Sequence, residues 1–151
     1  CTHTEKTATG GALAGAAVGA MLGNDVRGTA VGAAIGGALG AASRWLLSQA
    51  ILNSINSSFP LSTLSVNIVG SALIGIVWSL SEKSLIAPQV ATLIIVGFLG
   101  SFTTFSAFSM ETINLFRSGH IGTAIFNVIL QNALCISVAG LGFYSGKFLL
   151  K

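Results

Sequence analysis

The chain has 151 residues, of which 52% are hydrophobic and only 7% are charged, so it has too few charges to cover a soluble domain with a polar surface. Its formal net charge of +3 is small and scattered along the chain, which argues against nucleic-acid binding because that function requires a clustered basic face. The composition therefore indicates a multi-pass membrane protein.

The first 28 residues contain a glycine zipper, in which glycine recurs at every fourth position. Glycines stand at 11, 15, 19 and 23, and the same spacing follows at 28, 32, 36 and 40. The stretches 10–23 and 27–40 are identical at half of their positions. A helix face lined by glycine lets another helix approach closely.

The charged stretch 24–28, "NDVRG", has turn chemistry and predicts a hairpin between two short helices. Residues 1–28 are therefore interpreted as an extension that precedes a main domain at 29–151. Cys1, followed by a polar stretch and the zipper, resembles the start of bacterial glycine-zipper lipoproteins and is a candidate lipidation site.

Four windows in the main domain are apolar over about 20 residues, the length that crosses a bilayer. They cover residues 29–52, 61–81, 88–112 and 121–146. The loops between them are too short for a soluble domain, and Pro60 and Pro88 stand where proline is suited to begin a helix. The sequence predicts an all-α protein with four transmembrane helices surrounded by membrane lipid.

Polar side chains recur at helical spacing on the second and fourth predicted spans. They are Thr63, Asn67, Ser71 and Trp78, beside Gly70, and then Thr123, Asn127, Gln131 and Cys135. Polar groups in hydrocarbon are costly unless they face protein or a water-filled path. An asparagine such as Asn67, taken alone, more often forms a hydrogen bond between helices than it binds an ion. Asn127 and Gln131 are equally compatible with either role. Cys135 is most simply a small buried thiol.

The third predicted span contains the stretch "GFLGSFTTFSAF" at 97–108. Gly97 and Gly100 weaken a helix, and the hydroxyl groups of Thr103 and Thr104 can bond freed backbone carbonyls. These residues predict a helix that is broken near its middle. Broken helices expose backbone groups for ion contacts near the bilayer midplane.

The chemistry of these polar faces favours a small anion as the ion on this path. Amides and hydroxyls are neutral hydrogen-bond donors, and aromatic ring edges carry positive partial charge. A cation path would more naturally place a carboxylate at its middle.

The stretch "GFLGSFTTFSAFSME" at 97–111 resembles the third-helix signature of CrcB/Fluc-type fluoride channels. The stretches "GGALGAASRW" at 36–45 and "NIVGSALIG" at 67–75 are similar to the first and second helices of that family. The resemblance covers residues 31–151. It implies passive export of fluoride across the bacterial inner membrane by an antiparallel, dual-topology homodimer.

The resemblance also implies roles for individual residues. Residues matching the fluoride pore are Asn67, Phe105, Phe108, Thr104 and Ser106. Asn127 and Gln131 remain candidate polar lining from their spacing alone, because the family usually carries a hydroxyl or tyrosine track on its fourth helix. Gly100 and Thr103 match positions whose backbone carbonyls hold a structural sodium ion at the dimer centre. Arg44 and Glu111 match charged positions that support the site.

Two other functions compete with the channel. A proton-coupled small multidrug transporter has four helices and dual topology, but it requires a glutamate in the first helix, and residues 29–52 contain no acidic residue. A glycine-zipper envelope lipoprotein would have a structural role centred on residues 1–28. An enzyme is not expected, because His3 and His120 lie in a tail and a loop with no nucleophile constellation.

Overall fold

The computed structural model describes residues 26–55 and 57–149, and every regular element in these ranges is helical. The elements in chain order are α1 (Val26–Ser54), α2 (Leu61–Glu82), α3 (Pro88–Thr92), a π-helix (Leu93–Leu99), α4 (Gly100–Phe102), α5 (Phe105–Arg117) and α6 (Ile121–Leu149). The all-α prediction is confirmed for this part of the chain. The first half of the glycine zipper and the candidate lipidation site at Cys1 lie outside the described residues.

Three described stretches are long and apolar enough to cross a membrane, namely Leu61–Glu82, Val90–Arg117 and Ile121–Phe148. They correspond to the predicted second, third and fourth spans, and each ends later in the chain than predicted. Arg117 and Lys147 lie beyond the predicted spans, which end at residues 112 and 146, but within the last turns of α5 and α6. A cation in the last turn is favourable because it faces the negative end of the helix dipole.

Helix α1 begins at Val26, so residues 26–28 of the predicted turn at 24–28 are helical, while residues 24 and 25 lie outside the described part of the chain. One glycine in a helix interior costs only about 1 kcal/mol relative to alanine. The alanine-rich sequence that follows Gly28 offsets this cost, since helix extension is cooperative once a nucleus has formed.

Glycines bring α1 close to the third crossing. A Cβ atom added to Gly40 would collide with the backbone oxygen of Phe98 and lie 3.1 Å from the backbone nitrogen of Phe102. A Cβ atom on Gly36 would lie 3.6 Å from the Cα atom of Gly97. The second half of the glycine zipper therefore packs against the π-helix and α4 within the same chain.

Helices α2 and α6 also pack through small residues. A Cβ atom added to Gly75 would collide with the backbone oxygen of Ala139, and one on Gly142 would lie 2.5 Å from the backbone oxygen of Ala72. Farther along, a Cβ atom on Gly146 would lie 2.7 Å from the hydroxyl of Ser79. This close approach holds the polar faces of α2 and α6 beside each other.

The third crossing is broken, as the sequence predicts, but the break does not lie at the glycines. Gly97 is within the π-helix and Gly100 begins α4. The helix ends at Thr103 (φ −74°, ψ 156°) and resumes after Thr104 (φ −147°, ψ 103°), so both threonines are extended. Gly97 instead lies where the third crossing contacts Gly36 of α1.

Candidate functional site

Asn67 of α2 holds the break in the third crossing. Its side-chain oxygen accepts a hydrogen bond of 2.8 Å from the backbone N–H of Thr104, and its side-chain nitrogen donates one of 3.2 Å to the Thr104 carbonyl. Asn67 is buried and Thr104 is half-buried, so both bonds lie partly within the protein interior. Two bonds from one amide replace the helix bonds that Thr104 would make in an unbroken helix.

The same bonds free two carbonyl groups. In a continuous α-helix the Gly100 carbonyl would accept from Thr104 N–H, and the Thr103 carbonyl would accept from Ala107 N–H. Thr104 N–H instead donates to Asn67, and Ala107 N–H donates to the Thr104 hydroxyl at 3.2 Å. The helical donors of the Gly100 and Thr103 carbonyls thus bond to the side chains of Asn67 and Thr104 instead.

The hydroxyls at the break satisfy the two helix ends. Thr103 Oγ1 donates to the Leu99 carbonyl at 2.9 Å, at the end of α4. Thr104 is the N-cap of α5, where its hydroxyl accepts from Ala107 N–H, and it lies 3.3 Å from the hydroxyl of Ser106. N-caps of this kind stabilise a helix by about 1 kcal/mol.

A cavity of about 320 Å³ lies beside the break, between the third crossing, α2 and α6. Its polar lining comes from Asn67, Ser71, Thr103, Gln131, Asn132 and Cys135, and its aromatic lining from Phe105 and Phe108. The two rings are tilted by 58° with their centroids 5.2 Å apart. No residue that lines this cavity, in the described part of the chain, carries a formal charge.

The two phenylalanines differ in burial within the chain. Phe108 is 6% exposed, whereas Phe105 is 74% exposed at the edge of the cavity. The ring of Phe105 is therefore not covered by its own chain, whereas that of Phe108 is.

Gln131 and Asn127, which share one face of α6, have different environments. Gln131 lines the cavity and is 6% exposed, yet neither its side-chain nitrogen nor its oxygen has a hydrogen-bond partner. Asn127 is 1% exposed and donates to Thr112 Oγ1 at 2.9 Å. Asn127 therefore joins α6 to α5, and it is Gln131 that faces the cavity with free polar atoms.

A second cavity, of about 210 Å³, lies on the α1 side of the break. It is lined by Ala41, Arg44, Trp45, Ser48, Thr63, Thr104 and Ala107. Thr104 lines this cavity while the adjacent Thr103 lines the larger one. The break therefore separates two spaces, one with a guanidinium group in its wall and one with uncharged amides.

Glu111 is tied to the second cavity through Thr63. The Thr63 hydroxyl donates to Glu111 Oε1 at 2.6 Å, while Oε2 is buried without a hydrogen-bond partner. Within the described ranges the ion pair present is Lys147 with Glu82, at 3.2 Å. Arg44 and Glu111 therefore do not pair directly. Thr63 lies between them, since it bonds to Glu111 and lines the same cavity as Arg44.

The sequence reasoning missed Thr112, whose hydroxyl donates to the Phe108 carbonyl at 2.8 Å and accepts from Asn127. Its position four residues after Phe108, on the same helix face, was the available signal. It also placed Trp78 on the inward polar face of α2, whereas Trp78 is exposed and donates to Glu82 at 3.2 Å.

The fold and the site define a multi-pass helical membrane protein with an uncharged polar cavity at an interrupted crossing. A sequence profile for the CrcB-like protein family, Camphor Resistance (CrcB), matches residues 31–143, and a YMGG-like Gly-zipper profile matches residues 1–44. The chain belongs to the CrcB-like family, which confirms the resemblance drawn from the motifs. The two matches overlap in α1, whose glycines pack against the third crossing.

Curated relatives cover most of this domain. The chain is 42% identical over 110 residues to the fluoride-specific ion channel FluC of Magnetococcus marinus, which is 72% of this chain and 89% of the relative. It is 44% identical over 102 residues to that of Shewanella pealeana, covering 68% and 82%. Over 103 residues it is 46% identical to that of Pseudoalteromonas translucida, covering 68% and 86%. With its apolar helices, the chain is a multi-pass protein of the inner membrane.

Proposed function

We propose that this protein is a fluoride channel that lets fluoride leave the cell passively and so lowers its cytoplasmic concentration. The observation that carries the proposal is the cavity at the break, whose lining combines the rings of Phe105 and Phe108 with the unpartnered amide of Gln131. The names of the relatives, which are channels and not enzymes, support the same function.

The cavity has the chemistry needed to replace water around a small anion. The Asn67 nitrogen has two hydrogens, of which one is used for Thr104, and the Gln131 nitrogen has both hydrogens free. Ring edges add positive partial charge without a full countercharge. Donors of this strength favour entry of fluoride while still allowing it to leave.

Thr104 and Ser106 contribute hydroxyls on the other side of the break, where Thr104 lines the cavity of about 210 Å³ and the two hydroxyls lie 3.3 Å apart. Arg44, in the cavity on the other side of the break, attracts anions towards Thr104. Glu111 accepts a hydrogen bond from the Thr63 hydroxyl, so its carboxyl group orients the Thr63 hydroxyl in the wall of that cavity. Asn127 contributes to the path indirectly, by holding α6 against Thr112.

The functional unit is an antiparallel, dual-topology homodimer. In each subunit α1 crosses the membrane in addition to the three long apolar stretches, which gives four crossings. The exposure of Phe105, which lines the cavity, supports a second copy at this surface. The short connections between helices support alternating directions of successive crossings.

A structural sodium ion at the dimer centre is held by backbone carbonyls of Gly100 and Thr103. The residues fit such an ion, because both carbonyls have lost their helical donors to other partners. Carbonyls of an unwound helix are suitable sodium ligands. When bound, the ion would supply positive charge that joins the two broken helices.

Fluoride efflux from liposomes tests the channel directly. Purified protein is reconstituted with internal potassium fluoride, and external fluoride is followed with an ion-selective electrode after valinomycin is added. We expect rapid fluoride release and little release of chloride from a parallel preparation. A folded protein that releases no fluoride would overturn the proposal.

Deleting residues 1–25, which leaves α1 intact, separates the channel from the glycine-zipper lipoprotein. Retained flux supports the channel.

The sodium site is tested by comparing flux in media that contain either sodium or N-methylglucamine on both sides of the membrane. Equal flux and an equally stable dimer in both media would contradict the sodium site alone.

A further inference from the structure

A free thiol stands in the wall of the cavity beside the break. Cys135 of α6 is half-buried and lies one helical turn after Gln131, so both residues project from the same face of the helix. Both line the cavity of about 320 Å³, together with Phe105 and Phe108. A structural thiol would be sealed among apolar side chains, whereas this one borders a polar space.

Gln131 supplies an independent sign of a ligand at this position. It is 6% exposed, and both its amide oxygen and its amide nitrogen are buried without a partner. A buried amide without partners costs about 1–3 kcal/mol unless something in the cavity bonds to it. The oxygen is a hard ligand for a cation, and Cys135, one turn away, is a soft one.

We propose that Cys135 and Gln131 form a binding site for a thiophilic divalent cation, with Cd²⁺ as the probe, and that this cation blocks the path. The Cys135 S–H bond breaks as the S–Cd bond forms, and the proton passes to water. Gln131 Oε1 and water complete the coordination, and no electron is transferred. The blocking effect rests on the proposed function.

Access and effect follow from the position of the thiol. Asn132 and Ile136, which also line the cavity, are exposed within the single chain. Because the cavity forms part of the proposed fluoride path, a cation in solution reaches Cys135 along that path. A bound cation would narrow the space next to Phe105 and Phe108. Its fixed positive charge would also retain fluoride and slow its release.

The test uses full-length protein carrying Cys1→Ser, which leaves Cys135 as the one cysteine of the chain. Fluoride efflux from liposomes is measured with micromolar Cd²⁺ and then with excess EDTA. We expect loss of nearly all flux with Cd²⁺ and recovery with EDTA. Adding Cys135→Ser, or Cys135→Ala if the serine variant does not fold, should remove the inhibition, with each variant compared with its own metal-free flux.

A second readout does not depend on flux. In detergent, Cd²⁺ should slow labelling of Cys135 by a maleimide, and adding Gln131→Leu should raise the Cd²⁺ concentration needed for this protection. Equal inhibition after removal of Cys135, or labelling that Cd²⁺ leaves unchanged, would overturn the site. Absent metal-free flux would overturn the proposed function instead, and the labelling result would still decide whether the metal binds.

Discussion

Asn67 and Thr104 form a two-bond pair between α2 and the break in the third crossing. The Asn67 side chain accepts from the Thr104 N–H at 2.8 Å and donates to the Thr104 carbonyl at 3.2 Å. The interruption is thus maintained by a neighbouring helix as well as by its own sequence. It follows that the conformation of the break and the placement of α2 are energetically coupled.

Replacing Asn67 should separate its structural role from its role with the anion. Asn67→Leu leaves the N–H and carbonyl of Thr104 without partners, at about 1–3 kcal/mol for each buried group. We expect a clearly lower unfolding temperature and no fluoride flux. Asn67→Asp retains an acceptor for the Thr104 N–H but sets a carboxylate oxygen against the Thr104 carbonyl, so it should also lose stability, and its negative charge should abolish flux.

Tryptophan fluorescence during heating and electrode-measured efflux provide the two readouts for these variants. Asn53→Leu is the control, because Asn53 is exposed near the end of α1. It should change neither quantity. An Asn67→Leu protein that unfolds at the parent temperature would show that the pair does not stabilise the break.

The rings of Phe105 and Phe108 should both be needed for conduction, but only that of Phe108 should also be needed for stability. Phe105→Ile removes the ring edge but keeps an apolar side chain at a site that is 74% exposed. We expect flux to fall at least about tenfold, the equivalent of about 1.4 kcal/mol, with little change in stability. Phe108→Ile should lower flux similarly and also lower stability, because Phe108 is 6% exposed.

Phe148→Ile is the matched control for Phe105, since Phe148 is 75% exposed and lies near the end of α6. Initial rates of fluoride efflux are compared at equal amounts of reconstituted protein. If Phe148→Ile and Phe105→Ile reduce the rate equally, the aromatic pair has no special role in the path.

Gln131 should show opposite effects on stability and flux. Gln131→Leu removes two buried polar atoms that have no partners, so we expect a gain in stability of about 1–3 kcal/mol. Flux should nevertheless fall sharply, because the free N–H donors leave the cavity wall. Thermal unfolding and efflux are measured on the same preparations.

Asn127→Leu is the comparison on the same face of α6. It breaks the bond of 2.9 Å to Thr112, and we expect a loss of about 1 kcal/mol, typical of hydrogen bonds between membrane helices. Flux should fall less than in Gln131→Leu. A Gln131→Leu protein that is less stable than the parent would indicate that the amide has a partner in the functional assembly.

The packing of α1 depends on the absence of a side chain at Gly40. A Cβ atom there would collide with the Phe98 carbonyl, so Gly40→Ala should destabilise the protein by about 1–3 kcal/mol through overpacking. Gly122→Ala is the control, because nothing lies within 4 Å of a Cβ atom at that position. Its unfolding free energy should change by no more than about 1 kcal/mol. Equal effects of the two substitutions would show that α1 does not pack closely through Gly40.

The sequence alone determined the membrane class, the family and the existence of a broken third crossing. Apolar windows of bilayer length identify the crossings, because segments this long and apolar are stable in the hydrocarbon core of a bilayer and not in water. The stretch at 97–111 combines glycines, hydroxyls and phenylalanines that an ordinary apolar helix would not contain. Helical periodicity also placed Asn67, Gln131 and Asn127 on inward faces, as their burial shows.

Only the tertiary structure decided what each of these residues contacts. Asn127 and Gln131 stand on one face of α6 four residues apart, yet one is bonded to Thr112 and the other has no partner. Likewise, Gly97 serves helix packing while Asn67 holds the break at Thr104. Periodicity reports which face of a helix is buried, but hydrogen-bond partners come from other helices, and their registers depend on how the backbones pack.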